Sequence, residues 1–147
     1  MTTLIQQALI ATALLLPAAL AGAAESVTAS RTVDAHTTKI KLGGVINLQV
    51  RQGAAPSLKL IGDKELLANV TVSQSGDTLI VDTRKTSWHW DGKGRRELRA
   101  ELILPALYEL HSHGVGSTDV QGFTGNALKL NLDGAGALTM RGSYKHI

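Results

Sequence analysis

Cysteine is absent from all 147 residues. That absence removes a disulfide framework, a thiolate nucleophile, cysteine-ligated zinc or iron, and the lipidated cysteine of bacterial lipoproteins. Aromatic residues are scarce too, at 3% against 44% hydrophobic residues overall. With so little aromatic volume, the core has to be assembled from Val, Leu, Ile and Ala, and the 15 glycines imply frequent turns. Helical periodicity longer than about two turns is also missing, which argues against an α/β enzyme fold. Charge is nearly balanced, with 15 basic and 12 acidic residues leaving a net +3. Such a mild excess permits contact with anionic surfaces, but no nucleic-acid partner is expected from it.

The first charge in the chain is Glu25. The apolar run from Leu4 to Ala24, broken by Pro17 and ending in the small residues Ala21-Gly22-Ala23, reads as a signal peptide over residues 1–24, cleaved after Ala23 or Ala24. It lacks the usual Lys or Arg near Met1. An uncleaved membrane anchor is the alternative, but the uninterrupted apolar run falls short of the ~20 residues a span needs. Residues 25–147 are then a single domain, exported to the periplasm or cell surface.

Period-two alternation dominates the rest. Ile40 and Leu42, then Ile46, Leu48 and Val50, alternate with polar residues, so strands with one wet face are expected on either side of a turn or bulge at Gly43-Gly44. Gly53-Ala54-Ala55-Pro56 should end the second strand, and Ser57–Asp63 forms another. Lys64–Asn69 fits one helical turn capped by Asp63, and Gly76-Asp77 should join a hairpin. Arg84 to Leu98 is the least strand-like stretch. It carries Arg84, Lys85, Lys93, Arg95 and Arg96, with Arg99 just beyond, and reads as a long basic loop returning into the strand Leu98–Pro105.

A repeat appears near the C-terminal end. Leu110, Gly114, Gly116, Val120 and Gly122 match Leu130, Gly134, Gly136, Met140 and Gly142, each at an offset of 20. A fixed period with glycine at the corners is the signature of a β-solenoid, whose coils stack at ~4.8 Å. This register sets Glu109 beside Lys129, His111 beside Asn131 and His113 beside Asp133 on the outer face, with Leu110, Leu130 and Leu132 pointing inward.

Arg31-Thr32-Val33, Ile40, Leu42, Val45 to Val50, Leu58 to Asp63, Leu104 to Leu107 and the two Gly-x-Gly coils together resemble the head GIN domain family of putative autotransporter adhesins. The resemblance runs from Arg31 to Gly142. It implies an exported right-handed β-solenoid with no established enzymatic activity and no catalytic residue to carry over. His36 departs from the family's large apolar residue, and members continue through more coils where this chain stops at Ile147.

Candidate chemistry is thin. His111 and His113 on one strand face, near Asp133 and Asp119, suggest a two-His, one-carboxylate metal site, but a polar outer ladder explains the same residues and no metal or cofactor is expected. Ser112 lacks a nucleophile elbow, and no helix follows either Gly-x-Gly to make a phosphate loop. Trp88 and Trp90 in the basic loop are the better candidates, since paired indoles stack on sugar rings or seat at a lipid headgroup layer beside arginines. One of them folding over an open core edge is the plainer alternative. The expected fold is therefore an all-β, right-handed β-helix-like solenoid with an N-terminal strand and hairpin region. Its expected role is a non-enzymatic envelope binding or adhesion module contacting a glycan or anionic surface through Trp88, Trp90, Arg95, Arg96 and Arg99. A glycan-acting enzyme and a purely structural oligomer are the rivals. The apolar residues of the second coil, capped by only Tyr144 and Ile147, add an expectation of end-to-end homo-oligomers. Material exported by a bacterial host should begin at Ala24 or Glu25 by intact mass; retention of residues 1–23 in the membrane fraction would support the anchor instead.

Overall fold

In the computed structural model, residues 26–83 and 98–147 are described. They form β1 (Ser26–Arg31), β2 (Lys39–Val45), β3 (Asn47–Gln52), β4 (Ser57–Asp63), α1 (Lys64–Ala68), β5 (Thr71–Ser75), β6 (Thr78–Asp82), β7 (Leu98–Leu104), β8 (Glu109–Ala127), β9 (Lys129–Leu132) and β10 (Gly136–His146). The alternation is realised as expected: Ile40, Leu42, Leu48 and Val50 are buried while Lys41 and Arg51 face water. Asp63 caps α1 by accepting from the Glu65 amide at 2.9 Å, and Gly76 turns the β5–β6 hairpin.

The strands make one mixed sheet that curls toward a barrel-like shape. It has two wings, joined through the 19-residue β8. In the first wing β2 lies between β6 and the start of β8, all parallel, with β9 parallel beyond β8 and β5 antiparallel on β6. In the second wing β3 lies between β7 and the latter part of β8, again parallel, with β10 beyond β8, β4 antiparallel on β7 and β1 antiparallel on β4. Both inner faces feed a single core. Ile40, Leu79 and Leu110 come from the first wing, and Val50, Leu60, Leu102 and Val120 from the second.

The segments β2–β3, β8 and β9–β10 turn from one wing to the other at the same level. Gly114 stacks on Gly44, and Gly134 on Gly114, so closely that a Cβ on either would overlap the carbonyl oxygen below it. Thr83 reinforces this corner from the neighbouring strand, its hydroxyl accepting from the Val45 amide at 2.7 Å and its own amide donating to Gly43 O at 3.0 Å.

The offset of 20 is observed for Glu109↔Lys129, Leu110↔Leu130, Gly116↔Gly136 and Val120↔Met140. Three expectations are corrected. The Gly122–Gly142 match fails, because Gly122 is bulged out at φ +84° and Gly142 lies opposite Phe123, whose ring is buried in the core. Leu132 does not reach the interior; it stands 51% exposed at a sheet edge, opposite the small Ser112. The parallel segments are also out of chain order, since β2–β3 is inserted between β6–β7 and β8, and the antiparallel β1, β4 and β5 make the sheet mixed where a uniform solenoid is parallel throughout.

Gly114→Ala should therefore cost about 3 kcal/mol or more in chemical denaturation, because backbone has to move to admit the methyl group. Gly76→Ala, with open space around it but φ at +61°, should cost only about 1 kcal/mol.

Candidate functional site

The outer face of the first wing gathers most of the described ionic contacts. Odd-numbered residues of β8 point outward there because Leu110 points into the core. Glu109, His111 and His113 thus share a face, with Lys39, Lys41 and Gly43 beside them on β2 and Lys129, Asn131 and Asp133 beside them on or just after β9. The Lys39 ammonium bridges Asp77 at 3.6 Å and Glu109 at 3.9 Å, and the His113 Nδ1 lies 3.3 Å from an Asp133 carboxylate oxygen. The imidazole of His111 is half enclosed between Glu109 and Asn131. Its Nε2 donates to Glu109, and its Nδ1 takes an amide hydrogen from Asn131 at 3.3 Å, which is the tautomer that satisfies both partners.

The hydrogen bond from His111 holds the Glu109 carboxyl below its ordinary range, against the opposing effect of burial, and the nearby Lys129 and Lys39 add to the lowering. A metal on either nitrogen of His111 would displace one of these hydrogen bonds. Among the described residues no three His, Asp or Glu side chains are grouped to hold a metal ion. The His111 and His113 rings sit 6.1 Å apart on the same face, while Asp119 lies in the second wing, next to Gln49 and Thr139 and accepting from Gln121 at 3.0 Å. The expected neighbours Asn131 and Asp133 are where the repeat puts them. What the repeat could not supply was Lys39, brought in because β2 rather than an earlier coil lies beside β8.

Of the residues assigned to ligand contact, Trp88, Trp90, Arg95 and Arg96 lie outside the described residues, as does the signal peptide. Arg99 lies in β7 opposite Asn47, half exposed, with its guanidinium 3.7 Å from Glu101. Thr83, just after β6 and bonded to Gly43 and Val45, and Leu98, which begins β7, flank the basic stretch in sequence. Near the other end of the chain, Tyr144 does cover part of the interior, donating its hydroxyl to Leu107 O at 2.7 Å and packing over Gly125, whereas Ile147 is exposed. A shallow cleft lined by Ser112, Gly116, Leu132, Asp133, Gly134 and Leu138 opens beside β9.

This parallel stack and its glycine corners belong to a recognised class. Residues 36–147 match the model of the head GIN domain, described as a putative auto-transporter adhesin, and the chain belongs to that family. Among solved structures it is similar to a putative adhesin from Bacteroides fragilis, at 22% identity and TM-score 0.69, over 80% of this chain and 56% of that one. It is also similar to a putative lipid binding protein from Parabacteroides distasonis, at 20% identity and TM-score 0.66 over 81% and 50% of the two chains. A putative adhesin from Parabacteroides merdae is similar at 19% identity and TM-score 0.59, over 82% and 54%. The chain thus spans about half the length of these structures. No curated protein matches it.

His111→Ala removes the donor that lowers Glu109, so the Glu109 carboxyl should titrate at higher pH in the variant when followed by carboxyl NMR. Because the folded-state value is depressed, Glu109 contributes stability above its unfolded value, and that contribution is lost as pH falls through the folded one. The variant should show a smaller acid-induced loss of stability.

Proposed function

We propose that this chain is an exported, non-enzymatic binding or adhesion module of the cell envelope, at the periplasm or cell surface. Membership of the head GIN family over residues 36–147 carries the reading. In it, β6–β7, β2–β3, β8 and β9–β10 act as four coils of a short right-handed β-solenoid, supported by the parallel pairing of all four and by the stacked corners of the last three. The stack serves as a rigid platform, and the segment containing Trp88, Trp90, Arg95 and Arg96, with Arg99 at its base, is the contact surface.

Regular ladders favour a platform over an enzyme. A glycosidase needs two carboxyl groups facing each other across a bond, one of them ready to give a proton. Here Asp77 meets Lys39, Glu101 meets Arg99, Glu109 meets His111 and Asp133 meets His113. Two ligand chemistries suit indoles beside arginines: anionic glycans and anionic lipid headgroups. The likeness in fold to a putative lipid binding protein from Parabacteroides distasonis is a reason to include the second.

A glycan array and flotation with phosphatidylglycerol vesicles, run side by side, separate these ligands. Binding should weaken as salt rises, because exposed charges act through screened attraction, and should fall at least about tenfold in Trp88→Ala/Trp90→Ala and in Arg95→Glu/Arg96→Glu. Unchanged binding by both variants would remove this segment from the mechanism.

A further inference from the structure

The strand β9 pairs with β8 along one side only among the described residues. Its backbone parity is set: the Lys129 amide donates to Tyr108 O at 2.9 Å and the Asp133 amide to Ser112 O at 2.8 Å, so the odd residues bond inward to β8. Backbone groups alternate sides along a strand, which turns the N–H and C=O of Leu130 and Leu132 to the free edge. On that edge Leu132 is a half-exposed apolar side chain on the inner face, while Lys129, Asn131 and Asp133 are exposed on the outer face.

We propose that this edge pairs with β9 of a second copy of the chain, antiparallel and centred on Asn131. The register follows from three independent properties of the strand. Leu130 faces Leu132 of the partner subunit, and the pair exchanges both of its outward-pointing main-chain hydrogen bonds, as does its symmetry mate. These leucines lie on the inner face, so each closes over the other. On the outer face Lys129 meets Asp133 of the partner subunit. The row then reads Lys39, Glu109, Lys129 and, across the seam, the partner's Asp133, alternating in charge from one strand to the next. A shift by two in the residue sum keeps the hydrogen-bond parity but sets Lys129 against asparagine or glycine-flanking alanine, so charge selects the centred register. A twofold arrangement of this kind is closed and stops at the dimer. It gives the end-to-end pairing a strand, a direction and a register, and it does not depend on the ligand proposed above.

Since the chain has no cysteine, Asn131→Cys introduces a single thiol. In the centred register Asn131 faces its own symmetry mate as a non-hydrogen-bonded pair, with Cα atoms about 4.5 Å apart, inside the range a disulfide spans. Under mild oxidation Asn131→Cys should form a covalent dimer nearly completely, and Ser73→Cys on the opposite edge strand β5 should not. By analytical ultracentrifugation at micromolar concentration the wild type should be a dimer, and Leu132→Lys, Lys129→Asp and Asp133→Lys each a monomer with an unchanged far-UV spectrum. Mixing Lys129→Asp with Asp133→Lys should restore the dimer, because both seam pairs are then complementary. A wild-type monomer, a dimer that survives Leu132→Lys, or cross-linking of Asn131→Cys no greater than that of Ser73→Cys would each overturn the proposal.

Discussion

Close approach of backbone to backbone at the corner between the two wings is the constraint on which the rest depends. Strands within a wing are held at hydrogen-bonding distance, but a chain turning sharply between wings brings one layer's carbonyl oxygen into the space a Cβ of the next layer would fill. At Gly114 and Gly134 that space is empty of side chain, and the layers close. The consequence reaches the surface. Only because the layers stack in register do Glu109, His111 and His113 find Lys129, Asn131 and Asp133 beside them, and only then does an outer ladder of matched charges exist.

The same constraint explains what was legible in the amino-acid sequence. Glycine at a fixed interval betrays a corner, so the stacking of β9 and β10 on β8 could be read residue by residue as far as Arg141, as could the capped turn after Asp63 and the hairpin at Gly76. The interval says nothing of insertion. A coil made of β2 and β3 could slip between β6–β7 and β8 because its own glycine, Gly44, turns with a positive φ of 85° and lets Gly114 close on its carbonyl without belonging to the repeat. The bulge at Gly122 was invisible for a related reason, since a glycine needed for a left-handed backbone looks in sequence like one needed for close packing. Leu132 shows the limit of alternation itself: periodicity assigns the inner face, but burial also needs a neighbouring layer.

The polar face and the basic segment divide the functional argument between them. Along the ladder the carboxylates are matched by bases, Asp77 and Glu109 by Lys39, Glu109 also by His111, and Asp133 by His113. The excess positive charge of the chain is instead concentrated between Arg84 and Arg99, next to its two tryptophans. In the proposed role, a platform whose ladder carboxylates are matched by bases leaves recognition to the aromatic and basic segment. That partition is what a binding module requires and what a catalytic cleft, which depends on mismatched acids and bases, does not have.

The ends of the stack pose a separate problem, because a parallel layer always leaves a further edge of unpaired backbone groups. Adding another parallel layer only moves that edge outward, whereas a strand of reversed direction, short and polar on its far side, can end the series. The chain uses this device where it can be seen in full. In the first wing β5, reached by a tight hairpin, runs antiparallel to β6 and presents Thr71, Ser73 and Ser75 to water. In the second wing β4 reverses direction on β7 in the same way, and β1 reverses again on β4. Beside β9 a reversed strand with inward leucines and a matching charge pattern is supplied by β9 of another molecule, since a segment whose polar residues read Lys129, Asn131, Asp133 is complementary to its own reverse. Dimerisation through that edge would then follow the rule by which the fold closes its other edges, applied between molecules where elsewhere it acts within one.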